Sequence, residues 1–133
     1  MGINHRCIIA AEKDAIIDIG DHTGCSGCSI WSFRSIKIGK RVRIGANVTI
    51  MDSDAHLDDP RSGMPNPIEI EDNAWIGAGS LILKGVTIGR NSFIGAGSVV
   101  TKSIPANVIA AGVPCRVIRQ LSDEVVQQLE LGR

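Results

Sequence analysis

The chain has 133 residues, of which 44% are hydrophobic and 21% are charged, as expected for one soluble globular domain. Fourteen basic residues balance fourteen acidic ones, and this zero net charge argues against nucleic-acid and acidic-membrane partners. No apolar run approaches the roughly 18 residues of a membrane span, and no signal peptide opens the sequence, so we expect a cytoplasmic protein.

The composition indicates a narrow interior. Aromatic residues make up only 3% of the chain and include no Tyr, whereas Gly occurs 15 times and Ile 20 times. A compact α/β core normally uses more large rings.

A six-residue repeat dominates residues 38 to 105. Nine blocks begin with Ile or Val, five of the nine have Gly in second position, and eight have a small or aliphatic fifth residue. Six residues are three strand alternations, so the first and fifth side chains point inward and Gly permits a tight corner. Three blocks make one triangular coil. With weaker blocks near Ile19 and Cys25, we expect an all-β fold, a parallel β-helix of about five coils and roughly 25 Å in length.

Two other fold classes do not fit this pattern. A set of βαβ units would require helical segments between the strands, and none separates them. The glycine-rich strings IGAG and GAGS do not open a helix, so they do not predict a phosphate-binding loop.

A single short α-helix is predicted at the C-terminus. Ser122 is suited to the N-cap, and an apolar stripe follows it. We expect this helix to cover the open end of the stack or to contact a neighbouring subunit. The stripe consists of Leu121, Val125, Val126 and Leu129.

The predicted prism is too thin to bury much surface by itself, and its flat faces carry surplus apolar side chains. We therefore expect a homo-oligomer, and a three-sided prism suits a homotrimer.

The repeat breaks at the segment that contains Asp52, Asp54 and His56. In the six-residue register Asp54 takes an inward fifth position and His56 a first position. Residues 57–67 contain three Pro and must form an extruded loop. A carboxylate beside an imidazole fixes its tautomer and raises its basicity, so His56 is a candidate general base with Asp54 as its partner.

The other histidines and the cysteines give weaker signals. We expect His5 to be frayed and His22 to be structural or exposed at a corner. A zinc site normally needs three converging histidines, and His22 and His56 lie about two coils apart, so we predict no metal. Cys25 and Cys28 have the CxxC spacing, but without a second pair we favour core packing for them over a redox or zinc role.

The stretch from Ala74 to Arg119 resembles the C-terminal half of hexapeptide-repeat acyltransferases of the maltose/galactoside O-acetyltransferase branch. The residues that carry the resemblance are GANVTIMDSDAH, PIEIEDNAWIG and the combination GVTIG, IGAGSVVTK and AAGVPCRVIR. It covers roughly residues 15 to 119. It implies that the β-helix is left-handed and that a homotrimer forms three active sites between adjacent subunits. The expected domain is then residues 1–119, followed by a helix and tail at 120–133.

The resemblance also implies roles for individual residues. His56 matches the catalytic base of the family, and acetyl-CoA would be the co-substrate. Trp75 matches an aromatic residue beside the pantetheine arm, although packing in the core or the trimer is equally compatible with it. The other matching cofactor-binding positions are Ala78 and Ala96 at the pantetheine amides, Thr101 and Lys102 near the adenosine end, and Arg116 and Arg119 near the phosphates.

The sequence departs from this branch in the half of the site that binds the acceptor. Members of this branch carry an N-terminal helical segment with acceptor-binding residues, whereas here the coils start almost at once and the equivalent region reads TGCSGCSIWS. We therefore do not expect those acceptor-binding residues to carry over. From the resemblance and the candidate base we expect direct acetyl transfer from acetyl-CoA to a hydroxyl of a sugar or sugar-like acceptor, with a backbone N–H of residues 77–79 at the oxyanion. Transfer to an amino sugar or small amine, and a non-catalytic β-helix scaffold, remain alternatives.

Overall fold

The computed structural model describes residues 6–132, so the expectation for His5 lies outside the described residues. Short strands and one helix account for the regular structure. In chain order the strands are β1 (Ile8–Ala11), β2 (Ile16–Ile19), β3 (Gly24–Cys25), β4 (Ser29–Ser32), β5 (Ser35–Ile38), β6 (Arg43–Ile44), β7 (Thr49–Met51), β8 (Ile68–Ile70), β9 (Trp75–Ile76), β10 (Leu81–Ile82), β11 (Thr87–Ile88), β12 (Phe93–Ile94), β13 (Val99–Val100), β14 (Val108–Gly112) and β15 (Cys115–Gln120), and the helix is α1 (Asp123–Glu130).

The strands form three parallel sheets that are the walls of a prism. The first wall is β1-β4-β7-β10-β13, the second is β2-β5-β8-β11, and the third is β3-β6-β9-β12-β14 with β15 added at its edge. Successive strands along the chain lie in successive walls, so the backbone winds through about five coils of a left-handed parallel β-helix. This confirms the predicted fold class. We call the bends from the first to the second wall, from the second to the third, and from the third back to the first the first, second and third corners.

Inward side chains stack in columns that form the core. All nine first positions of the repeat are at most 5% exposed, as the six-residue pattern predicted. Eight of the nine fifth positions are buried too, and Asp54 is the exception. Each column runs through all the coils, because paired strands are in register. The columns are Ile9, Ile30, Ile50, Ile82 and Val100 in the first wall, Ile19, Ile38, Ile70, Ile88 and Ile104 in the second, and Cys25, Ile44, Ile76, Ile94 and Ala110 in the third.

The corners show why the repeat needs glycine and asparagine. A Cβ added to Gly45 would lie 2.6 Å from the backbone nitrogen of Ala78, and one added to Gly77 would lie 2.5 Å from that of Ala96. Second-position glycines are therefore required by the close approach of the next coil. The left-handed backbone falls two residues later, at Asn73 (φ 62°) and Asn91 (φ 64°) for example.

The first coil is the least buried part of the prism. Ile8, Ile9 and Ile16 are 61%, 53% and 63% exposed, and only Ile17 and Cys25 of this coil pack against the core. Ile19 pairs with Ile38 and Cys25 with Ile44, each 19 residues apart, and Ile9 pairs with Ile30, 21 residues apart, whereas three regular six-residue blocks make a coil of 18. These extra residues explain why the blocks near Ile19 and Cys25 do not share the phase of the later repeat.

The C-terminal helix forms, but it does not cover the end of the stack. Ser122 is the N-cap, and its hydroxyl accepts a hydrogen bond from the Val125 backbone N–H at 3.3 Å. The Glu130 carboxylate accepts a hydrogen bond from Asn91 Nδ2 (3.1 Å) and so holds α1 against the second corner. The antiparallel strand β15 instead covers the last strand of the third wall. Within residues 6–132, no helix has the length and apolar character needed to cross a bilayer.

Replacing Gly45 with Ala should destabilise the protein by about 1–3 kcal/mol, because the new methyl group overlaps the backbone of the next coil. The matched control is Gly24→Ala, since a Cβ there meets no atom within 4 Å and no left-handed φ is required. That variant should be neutral or more stable by about 0.4–1 kcal/mol. Urea unfolding of both variants measures the difference. Equal stability of the two would contradict coil contact as the reason for glycine.

Candidate active site

The chain leaves the first wall at a buried carboxylate, Asp52. Its two oxygens accept hydrogen bonds from Ser32 Oγ (2.9 Å) and from the backbone N–H groups of Phe33 (2.7 Å), Arg34 (2.9 Å) and Ser35 (2.7 Å). Asp52 is 0% exposed, so these four donors replace its water shell. The carboxylate joins the first corner of the second coil to the start of the loop, and the segment without strands spans residues 52–67.

The inward position expected for Asp54 is wrong, because Asp52 turns inward and ends the repeat one alternation earlier. Asp54 is exposed, and its Oδ2 accepts hydrogen bonds from Lys84 Nζ (2.6 Å) and from the Gly63 backbone N–H (3.1 Å). These contacts hold the pKa of the Asp54 carboxyl below its usual value, the Lys84 hydrogen bond having the largest effect. Asp54 thus ties the far side of the loop to the next coil, whereas the sequence pattern assigned it to the His56 ring.

His56 is exposed at the first corner, on the loop that this tether holds. Its backbone N–H donates to the Asp54 carbonyl (2.8 Å), and its carbonyl accepts from the Asp59 N–H (3.0 Å). The preceding residue, Ala55, has a φ of 67°, a conformation that costs an alanine energy and is frequent at functional sites. The imidazole forms no hydrogen bond with the described residues, so both ring nitrogens remain open to a substrate or another subunit.

A second group of candidate residues lines the outer face of the third wall. Arg43, Trp75, Phe93, Ile109 and Arg119 follow one another in register across neighbouring strands. Trp75 is 50% exposed, and its ring centroid lies 4.6 Å from that of Phe93. Trp75 is therefore part of the surface and not of the prism core.

The backbone at the third corner offers open donors beside this column. The Gly77 N–H donates to the Ile94 carbonyl (2.7 Å) and the Gly79 N–H to the Ala46 carbonyl (2.8 Å), so neither is available for an oxyanion. The N–H groups of Ala78 and Ala96 donate to no described residue, and both residues are exposed. Two open donors on adjacent coils suit a ligand with amide carbonyls.

The basic candidates lie toward the last coil. Thr101 and Lys102 are exposed at the first corner, and Arg116 and Arg119 are exposed on β15. Neither arginine nor Lys102 forms a salt bridge with another residue of the 6–132 region. Uncompensated cations at this end are what a polyphosphate ligand requires.

The candidate residues fall into two groups that one chain does not bring together. His56, Asp54, Thr101 and Lys102 lie at the first corner, whereas Trp75, Ala78 and Ala96 lie on the third wall and third corner. The first wall separates the two groups.

A surface groove of about 590 Å³ lies at the second corner and does not include His56. His22 and Arg41 line it with Arg43, Trp75 and Leu129 of α1. His22 and His56 occupy different corners of the same protomer and do not converge on one point.

The structure shows Cys25 and Cys28 as a disulfide, whereas the sequence favoured two unpaired cysteines packed in the core. Cys28 is fully buried in the core, as packing requires, but its sulfur is bonded to that of Cys25. The Cys7 sulfur lies 3.3 Å from that of Cys25. Cys115 is buried, which raises the pKa of its thiol.

Comparison with known proteins agrees with this architecture. Residues 67–102 match the model of the bacterial transferase hexapeptide (six repeats) family, and residues 26–51 match the hexapeptide repeat of succinyl-transferase. The structure superposes on a maltose O-acetyltransferase from Clostridium difficile 630 with a TM-score of 0.70 and 36% identity, covering 90% of this chain and 70% of that one. The chain belongs to the hexapeptide-repeat acetyltransferases.

Two further relatives of this chain bear on the site. A hexapeptide-repeat acetyltransferase from Vibrio cholerae, solved with acetyl coenzyme A, has a TM-score of 0.72 and 32% identity over 90% of this chain and 70% of its own. The galactoside O-acetyltransferase of Escherichia coli K12 is 50% identical over 93 residues, which are 67% of this chain and 46% of that protein. The chain thus spans about half the length of that relative.

Two residues of the site region were missed by the sequence analysis. Lys84 occupies an outward position in a regular block, and only the fold shows that it lies beside Asp54, 30 residues away. Arg43 is similarly unremarkable in sequence, and the pairing of β6 with β9 places it next to Trp75.

Removing either partner of the Asp54–Lys84 pair should loosen the loop. We expect Asp54→Asn and Lys84→Gln each to speed hydrogen exchange of the amides of residues 57–66, and the double variant to be no faster than the faster single one. Lys102→Gln is the control, because this lysine lies at the same corner without an ion pair among the described residues. Additive effects of the two changes would show that the pair does not hold the loop.

Acid should have the same effect as these substitutions. A lowered pKa means that the Asp54 tether is present at neutral pH and is lost as the pH falls through that lowered pKa. After correction for intrinsic rates, loop exchange in the native protein should therefore rise at acid pH, and Asp54→Asn should show no such rise. An identical pH profile for the two proteins would contradict the assignment.

Proposed function

We propose that this protein transfers an acetyl group from acetyl-CoA to a hydroxyl of a sugar or sugar-like acceptor, with His56 as the general base. The observation that carries the proposal is an exposed imidazole on a tethered loop, at one edge of a wall whose other edge carries open backbone donors. The relatives support it, since they include a galactoside O-acetyltransferase and an acetyltransferase solved with acetyl coenzyme A.

The proposed chemistry is a direct transfer. His56 takes the proton of the acceptor hydroxyl as that oxygen attacks the thioester carbonyl, a role that contributes about 10²–10⁴ in rate. Of the three N–H groups of residues 77–79 considered from sequence, that of Ala78 is the open one, and it stabilises the oxyanion. The CoA sulfur leaves with the electron pair of the C–S bond and takes the proton from the imidazolium. No acyl-enzyme is needed, and the buried thiol of Cys115 has a raised pKa that disfavours nucleophilic attack.

Acetyl-CoA would bind along the third wall. With the Ala78 N–H at the thioester, a pantetheine amide would meet the open N–H of Ala96 on the next coil, and the arm would lie against Trp75. Arg116 and Arg119 would neutralise the phosphates, and Thr101 and Lys102, from the first corner of the adjoining copy, would lie near the adenosine end. The order of these residues along the stack supports this placement, because Trp75 lies two strands before β14 and Arg119 lies on the strand after it.

The active protein in this proposal is a homotrimer. His56 of one protomer would face the Ala78 corner of its neighbour, and each of three interfaces would hold one site. Apolar side chains on the outer face of the first wall and just beyond it support an interface there: Trp31, Leu81 and Leu83 are 37%, 38% and 37% exposed. The loop of residues 52–67 would then shape the acceptor pocket between the chains.

The central test is His56→Ala, assayed by release of free CoA from acetyl-CoA with a panel of sugars, nucleotide sugars and small amines. The rate should fall by about 10²–10⁴, because the hydroxyl loses its base, while the melting temperature and CoA affinity stay unchanged. His22→Asn is the matched control, since Asn tolerates the left-handed backbone of residue 22 (φ 60°) and His22 lies at another corner. Retention of more than about a tenth of the rate in His56→Ala would exclude this role.

The cationic residues should act on binding instead. Lys102→Gln and Arg116→Gln should each raise the KM for acetyl-CoA by about 10- to 150-fold with little change in kcat, because loss of one charge-assisted phosphate contact costs about 1.5–3 kcal/mol. Calorimetric titration with CoA checks the same effect without turnover. A lower kcat at unchanged CoA affinity would refute the assignment, and Lys37→Gln, on the second wall, is the charge-matched control.

A further inference from the structure

Three cysteine sulfurs lie together at the junction of the first and second coils. Cys7 precedes β1, and Cys25 and Cys28 lie on either side of the third corner. All three sulfurs are within 4.8 Å of one another, and the Cys7 and Cys25 sulfurs are 3.3 Å apart. Cys25 and Cys28 are joined as a disulfide.

The three side chains differ in their access to solvent. Cys7 is exposed, Cys25 is half-buried and Cys28 is 0% exposed. The Ile8 N–H donates to the Cys28 carbonyl at 2.9 Å, which fixes Cys7 beside Cys28 on the neighbouring coil. The disulfide is therefore shielded on the Cys28 side, and Cys7 lies against its half-buried sulfur.

We propose that Cys7, Cys25 and Cys28 form a thiol–disulfide exchange site. The Cys7 thiolate attacks the Cys25 sulfur, a Cys7–Cys25 bond forms, and the Cys25–Cys28 bond breaks. Cys28 leaves as a thiolate and takes up the proton that Cys7 lost, so the exchange needs no oxidant or reductant. The reacting sulfurs lie 3.3 Å apart, so attack needs only a turn of the Cys7 side chain into line with the Cys25–Cys28 bond.

A metal site fits the same residues less well. A structural zinc ion takes four ligands, and no fourth His, Cys, Asp or Glu joins the three sulfurs among residues 6–132. Two of the three sulfurs are already bonded to each other. Core packing does not explain Cys7, because its side chain is exposed.

The exchange would change what the disulfide constrains. A Cys25–Cys28 bond closes a separation of 3 residues and holds only the corner. A Cys7–Cys25 bond closes 18 residues, which is the whole first coil, and a longer closed loop restricts the unfolded chain more. Because the first coil is the least buried part of the prism, we expect a Cys7–Cys25 bond to increase the stability of this coil more than that of the others. Small thiols and disulfides of the glutathione class would reach the site through the exposed Cys7.

Peptide mapping tests the proposal, because trypsin cuts after Arg6, Lys13 and Arg34. The Cys25–Cys28 bond stays within peptide 14–34, whereas any bond to Cys7 links peptides 7–13 and 14–34. The full chain is equilibrated in a reduced and oxidised glutathione buffer, treated with N-ethylmaleimide to block free thiols, and digested. We expect both the internal and the linked species, and Cys28→Ser should give the linked species alone. Peptide 103–116, which contains Cys115, is the internal control and should carry no disulfide.

Three results would overturn the proposal. The internal disulfide alone, with Cys7 fully alkylated, would show that Cys7 is only a neighbour. Alkylation of all three thiols in the oxidising buffer would show that the cluster is packing. Protection of all three together with one equivalent of bound zinc would show a metal site.

The structural consequence has its own readout. Oxidised Cys28→Ser, with the Cys7–Cys25 bond, should show slower hydrogen exchange in β1 than oxidised Cys7→Ser, which keeps the Cys25–Cys28 bond. Equal exchange in β1 would contradict the role assigned to the longer loop.

Discussion

The core, the corners and the outer surface of this protein all depend on the direct stacking of each coil on the next. Inward Ile and Val side chains form continuous columns only because successive coils stay in register, and register requires backbones to touch at the corners. Gly45 and Gly77 allow that contact, and asparagines with left-handed backbone turn the chain toward the next wall. The result is a rigid prism whose outer face repeats at the spacing between strands, about 4.8 Å.

The repeat also spaces backbone donors and side chains regularly on the outer surface of the prism. The open N–H groups of Ala78 and Ala96 lie on adjacent coils, and the column from Arg43 to Arg119 extends along one wall. Such a surface suits a long, thin ligand with regularly placed amides and a charged end. An acceptor needs a pocket, and the regular coils do not form one. In the proposed function the long loop at the first corner forms that pocket. Asp52 fixes the start of the loop, and the Asp54–Lys84 pair fixes its far side.

The two aspartates show how neighbouring residues of one type acquire different tasks. Asp52 is buried and satisfied by four donors, so it shapes the backbone and is closed to substrate. Asp54, two residues later, is exposed and paired with a lysine of the next coil. Alternation puts both on one side of an extended strand, but the chain is no longer extended there. The backbone turns at Ala55, and His56 emerges without either carboxylate as its partner.

The fold class, the inward positions and the helix cap follow from the sequence alone, because the six-residue period is a local pattern that repeats through the chain. Ile38, Ile76 and Val100 are buried for the same reason that each begins a block. The position of Asp54, the pairing of Cys25 with Cys28 beside Cys7, and the end-capping by β15 could be found only in the tertiary structure. Each depends on which residues of different coils lie side by side, and an insertion such as the 52–67 loop changes that alignment without leaving a periodic signal. The sequence therefore determines whether a side chain points into the prism or out of it. The stacking of the coils determines which residues of other coils it contacts.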